Sequence, residues 1–97
     1  MEDFMKLDLN FKLKDLTGQE ISQETAAIIL ANALAVGQST NPVKLIDIAL
    51  KLHQNGSIEI DKSDLDLLGK EVENNKGFAN LVKAQLLDAI DKTKLAK

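Results

Sequence analysis

Between Ala26 and Val36 the chain reads AAIILANALAV, and Asn32 is the only residue that is not apolar. A helix lying on a surface repeats polar positions every third or fourth residue. This pattern therefore predicts a helix enclosed by other elements, with its alanines admitting close neighbours and Ile28, Ile29, Leu30, Leu34 and Val36 filling the space between them. Ahead of it, Met5, Leu7, Leu9, Phe11 and Leu13 alternate with Lys6, Asp8, Asn10, Lys12 and Lys14. Period two over ten residues predicts a half-buried strand. Asp15-Leu16-Thr17-Gly18 reads as a turn, and Gln19 to Ile21 as a short return strand closing an uneven hairpin. Ser22 is the predicted N-cap of the apolar helix, Glu24 belongs to its first turn, and Gly37 ends it.

Asn41-Pro42 is a helix start, a capping residue followed by proline at the first helical position. The helix it opens runs to about Gln54, with Leu45, Ile46, Ala49 and Leu52 on its apolar stripe. Val43, Ile48 and Leu50 widen that stripe, and Lys44, Asp47 and Lys51 face water. After Asn55-Gly56, Ser57 to Ile60 is a short extended piece. Ser63 is the predicted cap of a third helix from Asp64 to about Asn74, with Leu65, Leu68 and Val72 inward. A fourth runs from Phe78 to about Lys92, with Leu81, Val82, Leu86, Ala89 and Ile90 inward. Ser57–Asn75 carries six acids and two lysines, net −4, and Lys76–Lys97 five lysines and two acids, net +3, so the last two helices are expected to attract. The sum is an α+β fold. An N-terminal β-hairpin, or three short strands with Ile58–Ile60 as the third, packs on four helices around one apolar central helix. Residues 1–97 form a single domain in this reading, fraying at 1–4 and 93–97.

Composition changes the picture mainly by what it lacks. With 44% hydrophobic and 28% charged residues in 97, the chain is ordinary for a globular protein. No cysteine is present, which removes thiol chemistry and thiolate metal sites. The first ten residues have no apolar core behind a basic start and do not read as a secretory signal. The longest apolar run, about 11 residues, is too short to span a bilayer. Every basic residue is lysine, tryptophan and tyrosine are absent, and net charge is −3. Without arginine for phosphate and guanine contacts or broad aromatics for base stacking, nucleic acid is not the expected partner. The side chains most enriched at protein-binding hot spots are missing as well. A partner surface must use aliphatic groups, the three phenylalanines or main-chain hydrogen bonds.

Asn55-Gly56-Ser57-Ile58-Glu59-Ile60-Asp61 looks like the second half of an EF-hand calcium loop. The remaining ligand positions fall on Lys51, His53 and Lys62, so calcium would be repelled, and a glycine-ended helix, short strand and capped helix is the expected structure. His53 is the only histidine and has no second ligand or nucleophile in a recognisable motif. The acids Glu59, Asp61, Asp64 and Asp66 suit the positive end of a helix. Phosphate loops, dinucleotide glycine patterns and catalytic triads cannot be assembled. The expectation is no enzyme, no catalytic residue, no metal and no cofactor. The strand Met5–Lys14 is longer than its hairpin partner, so its edge is expected to receive another strand, with Lys6, Asp8, Asn10, Lys12 and Lys14 as the partner-binding residues.

Several stretches together carry a resemblance: Asp15-Leu16-Thr17-Gly18-Gln19-Glu20-Ile21, Leu30-Ala31-Asn32-Ala33-Leu34-Ala35, Pro42-Val43-Lys44, Ile48-Ala49-Leu50-Lys51-Leu52, Ile58-Glu59-Ile60-Asp61 and Lys83-Ala84-Gln85-Leu86-Leu87. In order and wording, over roughly residues 5 to 91, the chain resembles a diffuse group of small proteins encoded by tailed bacteriophages and prophages. None of these pieces is a catalytic or ligand signature, so the resemblance implies an origin and leaves the activity open. It places the protein in the cytoplasm of a bacterial host cell or in the virion. The expected function is a non-enzymatic protein-binding module acting on a host or phage protein as regulator, inhibitor or adaptor. One alternative is a homo-oligomeric structural or assembly component of a phage particle. The other is a binder of a small molecule in a cavity beside the central helix. Partners are thus another protein or a second copy of the chain, with no membrane involved.

Overall fold

The computed structural model describes residues 4–37 and 41–95. The chain is α+β: β1 (Phe4–Asp8), β2 (Lys12–Lys14), β3 (Glu20–Thr25), α1 (Ala26–Val36), α2 (Pro42–Asn55), β4 (Ser57–Asp61), α3 (Lys62–Asn74) and α4 (Asn80–Leu95). These divide into two compact units: one holds the chain through Leu7 together with the chain from Glu59, the other Asp8–Ile58.

In the second unit, β2 and β3 form the antiparallel hairpin that the sequence predicts, with Lys12 opposite Thr25 and Lys14 opposite Glu20. Asp15 organises its turn. One carboxylate oxygen accepts from the Thr17 amide (2.8 Å), the Thr17 hydroxyl (2.6 Å) and the Gln19 amide (3.1 Å), and Gly18 takes the positive φ of 88°. The Thr17 hydroxyl and these amides hold the Asp15 carboxyl below its usual range. The return strand is longer than expected and runs through Ser22 to Thr25. Thr25, not Ser22, therefore caps α1, its hydroxyl accepting from the Ile28 amide at 3.4 Å. Glu24 belongs to β3 rather than to the first turn of α1. Ala26, Ala27, Leu30, Ala31 and Leu34 form the buried stripe of α1, and Leu45, Ile48, Ala49 and Leu52 that of α2. The two helices pack on each other.

The predicted single strand from Met5 to Lys14 is broken. Alternation holds, since Leu7, Leu9 and Leu13 are buried, but the pairing partner changes at Leu9–Phe11. β1 pairs with β4 and β2 with β3, in two separate two-stranded sheets. At the break the Asn10 amide turns back onto the Asp8 carboxylate (2.9 Å). The Leu9 amide donates to the Gly56 carbonyl (2.9 Å), while the carbonyls of Leu9 and Phe11 accept from the Ala27 (3.1 Å) and Ala26 (2.7 Å) amides that open α1. Four of the donors and acceptors that a continuous edge would offer are thereby used. Gly56 ends α2 in the left-handed conformation, φ 75°, its N–H on the Leu52 carbonyl at 2.8 Å.

The first unit is built on α3 and α4, with Leu65, Leu68, Val72, Leu86 and Ile90 buried. Asp61 caps α3 by accepting from the Asp64 amide at 2.8 Å, so the helix starts at Lys62 and the predicted cap Ser63 lies inside its first turn. α4 begins at Asn80, after Phe78. The charge segregation is realised in contacts: the Lys94 ammonium meets the Asp66 carboxylate at 2.6 Å, and Lys83 donates to the Glu73 carbonyl at 2.9 Å.

Candidate functional site

The five residues read as partner-binding fall on two strands and the break between them. Lys6 and Asp8 are exposed on β1 and Lys14 on β2. Lys12 is half-buried, with its ammonium 3.6 Å from the Glu20 carboxylate. Asp8 and Asn10 are engaged locally. Asp8 holds the Asn10 amide, and the Asn10 side chain donates to the Asn55 carbonyl at the end of α2 (3.2 Å). The structure does not join these five along one continuous edge.

Three of the carboxylates are likewise committed to the fold. Asp61 is a cap, Asp66 an ion-pair partner and Asp15 a turn anchor. The segment that looks like a calcium loop forms a glycine-ended helix, β4 and a capped helix, the arrangement its spacing predicts. Among the described residues, no group of three or more His, Cys, Asp or Glu is placed to hold a metal ion. A cleft of about 370 Å³ opens between α3 and α4, bordered by Asp66, Gly69, Lys70, Glu73, Asp91 and Lys94. Its rim carries three carboxylates and two ammonium groups, with Asp66 and Lys94 already joined, so it presents only a slight excess of negative charge to a ligand. No residue of α1, the helix beside which the sequence predicts a small-molecule cavity, lines this cleft.

The feature that stands out is apolar. In the α1–α2 hairpin, Val36 (83% exposed), Val43 (84%), Leu50 (55%) and Ile46 (41%) lie open to solvent. α1 is thus not enclosed as its sequence predicts. It buries one stripe, while Asn32, Ala35 and Val36 are exposed and Ile28 and Ile29 half-buried. On α2 the exposed residues recur at i, i+3 and i+7, which places them on one line beside the buried stripe. Their spacing predicts all of them inward, because periodicity reports an apolar face and not what covers it. Lys44, Asp47 and Lys51 flank this line, with Asp47 and Lys51 paired at 3.1 Å. Contiguous exposed apolar patches on a folded chain mark interaction sites, whereas single exposed apolar residues do not.

Comparison of the chain with protein-family models, with curated proteins and with solved structures finds no match in any of the three. Among the described residues no helix is long and apolar enough to cross a membrane.

Proposed function

We propose that this protein is a non-enzymatic binding module, and that the exposed line Val43–Ile46–Leu50 on α2 is the surface with which it takes another polypeptide. The observation that supports this reading is that line itself: three large aliphatic side chains at helical spacing, left in water by a helix whose other stripe is fully used. Burying such a line returns about 25 cal/mol for each Å² removed from water, and its i, i+3, i+7 spacing matches how helices dock on one another. The surface is aliphatic, as a chain without arginine, tryptophan or tyrosine requires. The resemblance to small phage and prophage proteins supplies a setting, a regulator, inhibitor or adaptor in the cytoplasm of a bacterial host.

A photo-crosslinking residue placed at Val43, in bacterial cells producing the protein, tests the reading. Adducts to a polypeptide are expected from Val43 and not from a control on the exposed face of α4, Ala84. Absence of adducts from Val43, or equal yield from both positions, overturns it.

A further inference from the structure

Resting on that reading, we infer that the occupant of the α2 line is a second copy of the same chain, docked antiparallel across a two-fold axis that passes between Ile46 and Leu50. Two-fold contacts join a surface to itself, so the surface has to be self-complementary. The apolar line meets this condition. Antiparallel docking sets Ile46 of one copy against Leu50 of the other, twice, and aliphatic side chains interdigitate without polar groups that need matching.

The charges beside the line meet it too. Asp47 and Lys51 lie on one flank, paired within the helix at 3.1 Å, with both side chains more than half exposed. Across an antiparallel two-fold, a flank faces the same flank of the other copy running the opposite way. The two Asp47–Lys51 pairs then lie side by side, each carboxylate within reach of both ammonium groups. Such exposed pairs add little affinity, but they select orientation. In a parallel pair the same flanks would lie on opposite sides and never meet. One line of helix contacts is smaller than the roughly 800 Å² per partner of a standard stable interface. Association is therefore concentration-dependent.

The test is the solution mass of the purified full chain by sedimentation or light scattering, from about 10 μM to about 1 mM, where weak complexes form. The expected result is a rise from the 10.6 kDa of one chain toward twice that value. A mass of one chain throughout overturns the inference. In that event, Val43 adducts to a different polypeptide would still uphold the binding reading. Leu50→Lys and Ile46→Lys change exposed positions, and each is expected to hold the mass at one chain with an unchanged melting curve. A folded variant that still doubles its mass overturns the assigned face. Orientation is read from charge. Asp47→Lys, with both pair positions basic, and Lys51→Asp, with both acidic, should each associate more weakly than wild type alone, and should associate when mixed. Failure of the mixture to associate, with wild type dimeric, overturns the antiparallel arrangement.

Discussion

The α1–α2 hairpin and the α3–α4 pair are made of helices of similar length, and each buries one stripe of leucine, isoleucine, valine or alanine. Their outer surfaces differ. The hairpin leaves Val36, Val43, Ile46 and Leu50 in water, whereas the α3–α4 pair exposes a single large apolar side chain, Leu95, at the end of the last helix. Its outer faces carry ions matched to one another, Asp66 with Lys94 and Asp88 with Lys92, and Lys83 donates to the main-chain carbonyl of Glu73. A helix pair whose charges are answered inside the chain has no outstanding demand on its surroundings. One with an uncovered apolar line does, because that line gains by leaving water. The difference teaches where to look for function. The acids and lysines, which carry most of the obvious chemistry in the sequence, are largely spent on folding, and the bland aliphatic positions are what remains available.

The sharpest way to break this contrast is to place a carboxylate on each kind of surface. Leu30→Asp in the hairpin and Leu68→Asp in the other pair would each bury an unpaired charge at a fully enclosed position. The cost is several kcal/mol against a total stability of roughly 5–15 kcal/mol, so both should lose cooperative unfolding in a thermal melt. Val43→Asp, on the exposed line, should change stability by no more than about 0.5 kcal/mol. A Val43→Asp variant as damaged as the other two would show that the line is covered, and the contrast would collapse.

The glycines sharpen it further, because their substitutions should move stability in opposite directions. Gly56 closes α2 at φ 75°, and the three atoms nearest to an added Cβ all belong to the Asn10 side chain, in overlap with it. Gly56→Ala should cost roughly 1–2 kcal/mol for the left-handed backbone, plus the displacement of Asn10 from the Asn55 carbonyl. In an Asn10→Ala background only the backbone share should remain, so a denaturant-melt double-mutant cycle should be non-additive. Gly69 lies inside α3 at the cleft, where an added Cβ would find Ile90 Cγ2 at 4.0 Å, an ordinary contact distance. Gly69→Ala should stabilise by about 1 kcal/mol through helix propensity alone. A loss of stability there would mean that the cleft is filled by something the added methyl displaces.

How much of this was legible in the sequence depends on what periodicity measures. The buried stripes of α3 and the inward Leu86 and Ile90 of α4 lie where their spacing predicts, as does the order of strands and helices. Helix starts shifted because Ser22 and Thr25, like Asp61 and Ser63, are both competent caps. The end of strand pairing decides between them: β3 runs to Thr25 and β4 to Asp61, and the helix begins there. The strand from Met5 to Lys14 kept its alternation and lost its continuity, since alternation fixes which face is buried and says nothing about which neighbour takes the main chain. The role of Asn10 depends on the carbonyl of Asn55, forty-five residues away, and no local pattern shows it. The Val43–Ile46–Leu50 line was visible as apolar and unreadable as exposed. A chain's own hydropathy cannot distinguish a face covered by itself from one covered by another molecule.

The smallest predicted effect concerns the ions of the α3–α4 pair. Asp66 donates nothing and accepts from the Lys94 ammonium at 2.6 Å. That hydrogen bond, reinforced by the charges of Lys94, Lys62 and Lys70, holds its carboxyl below the ordinary aspartate value against the opposing effect of desolvation. A carboxyl with a lowered value in the folded state contributes stability that is fully present above its unfolded value. That contribution is lost as the pH falls through the folded value, because the unfolded chain binds the proton first. The Asp66–Lys94 pair should therefore matter at neutral pH and fade only under acid conditions, below the ordinary aspartate range. Both side chains are partly exposed, so the contribution is screened and should shrink in high salt. Carboxyl chemical shifts followed through an acid titration should show Asp66 titrating below a typical aspartate. Lys94→Ala should move that midpoint upward, whereas Lys51→Ala, in the α1–α2 hairpin, should leave it where it is. An Asp66 midpoint indifferent to Lys94 would mean that the charges of this helix pair are not answered from within, and its outer face would then have the same claim to a partner as the α2 line.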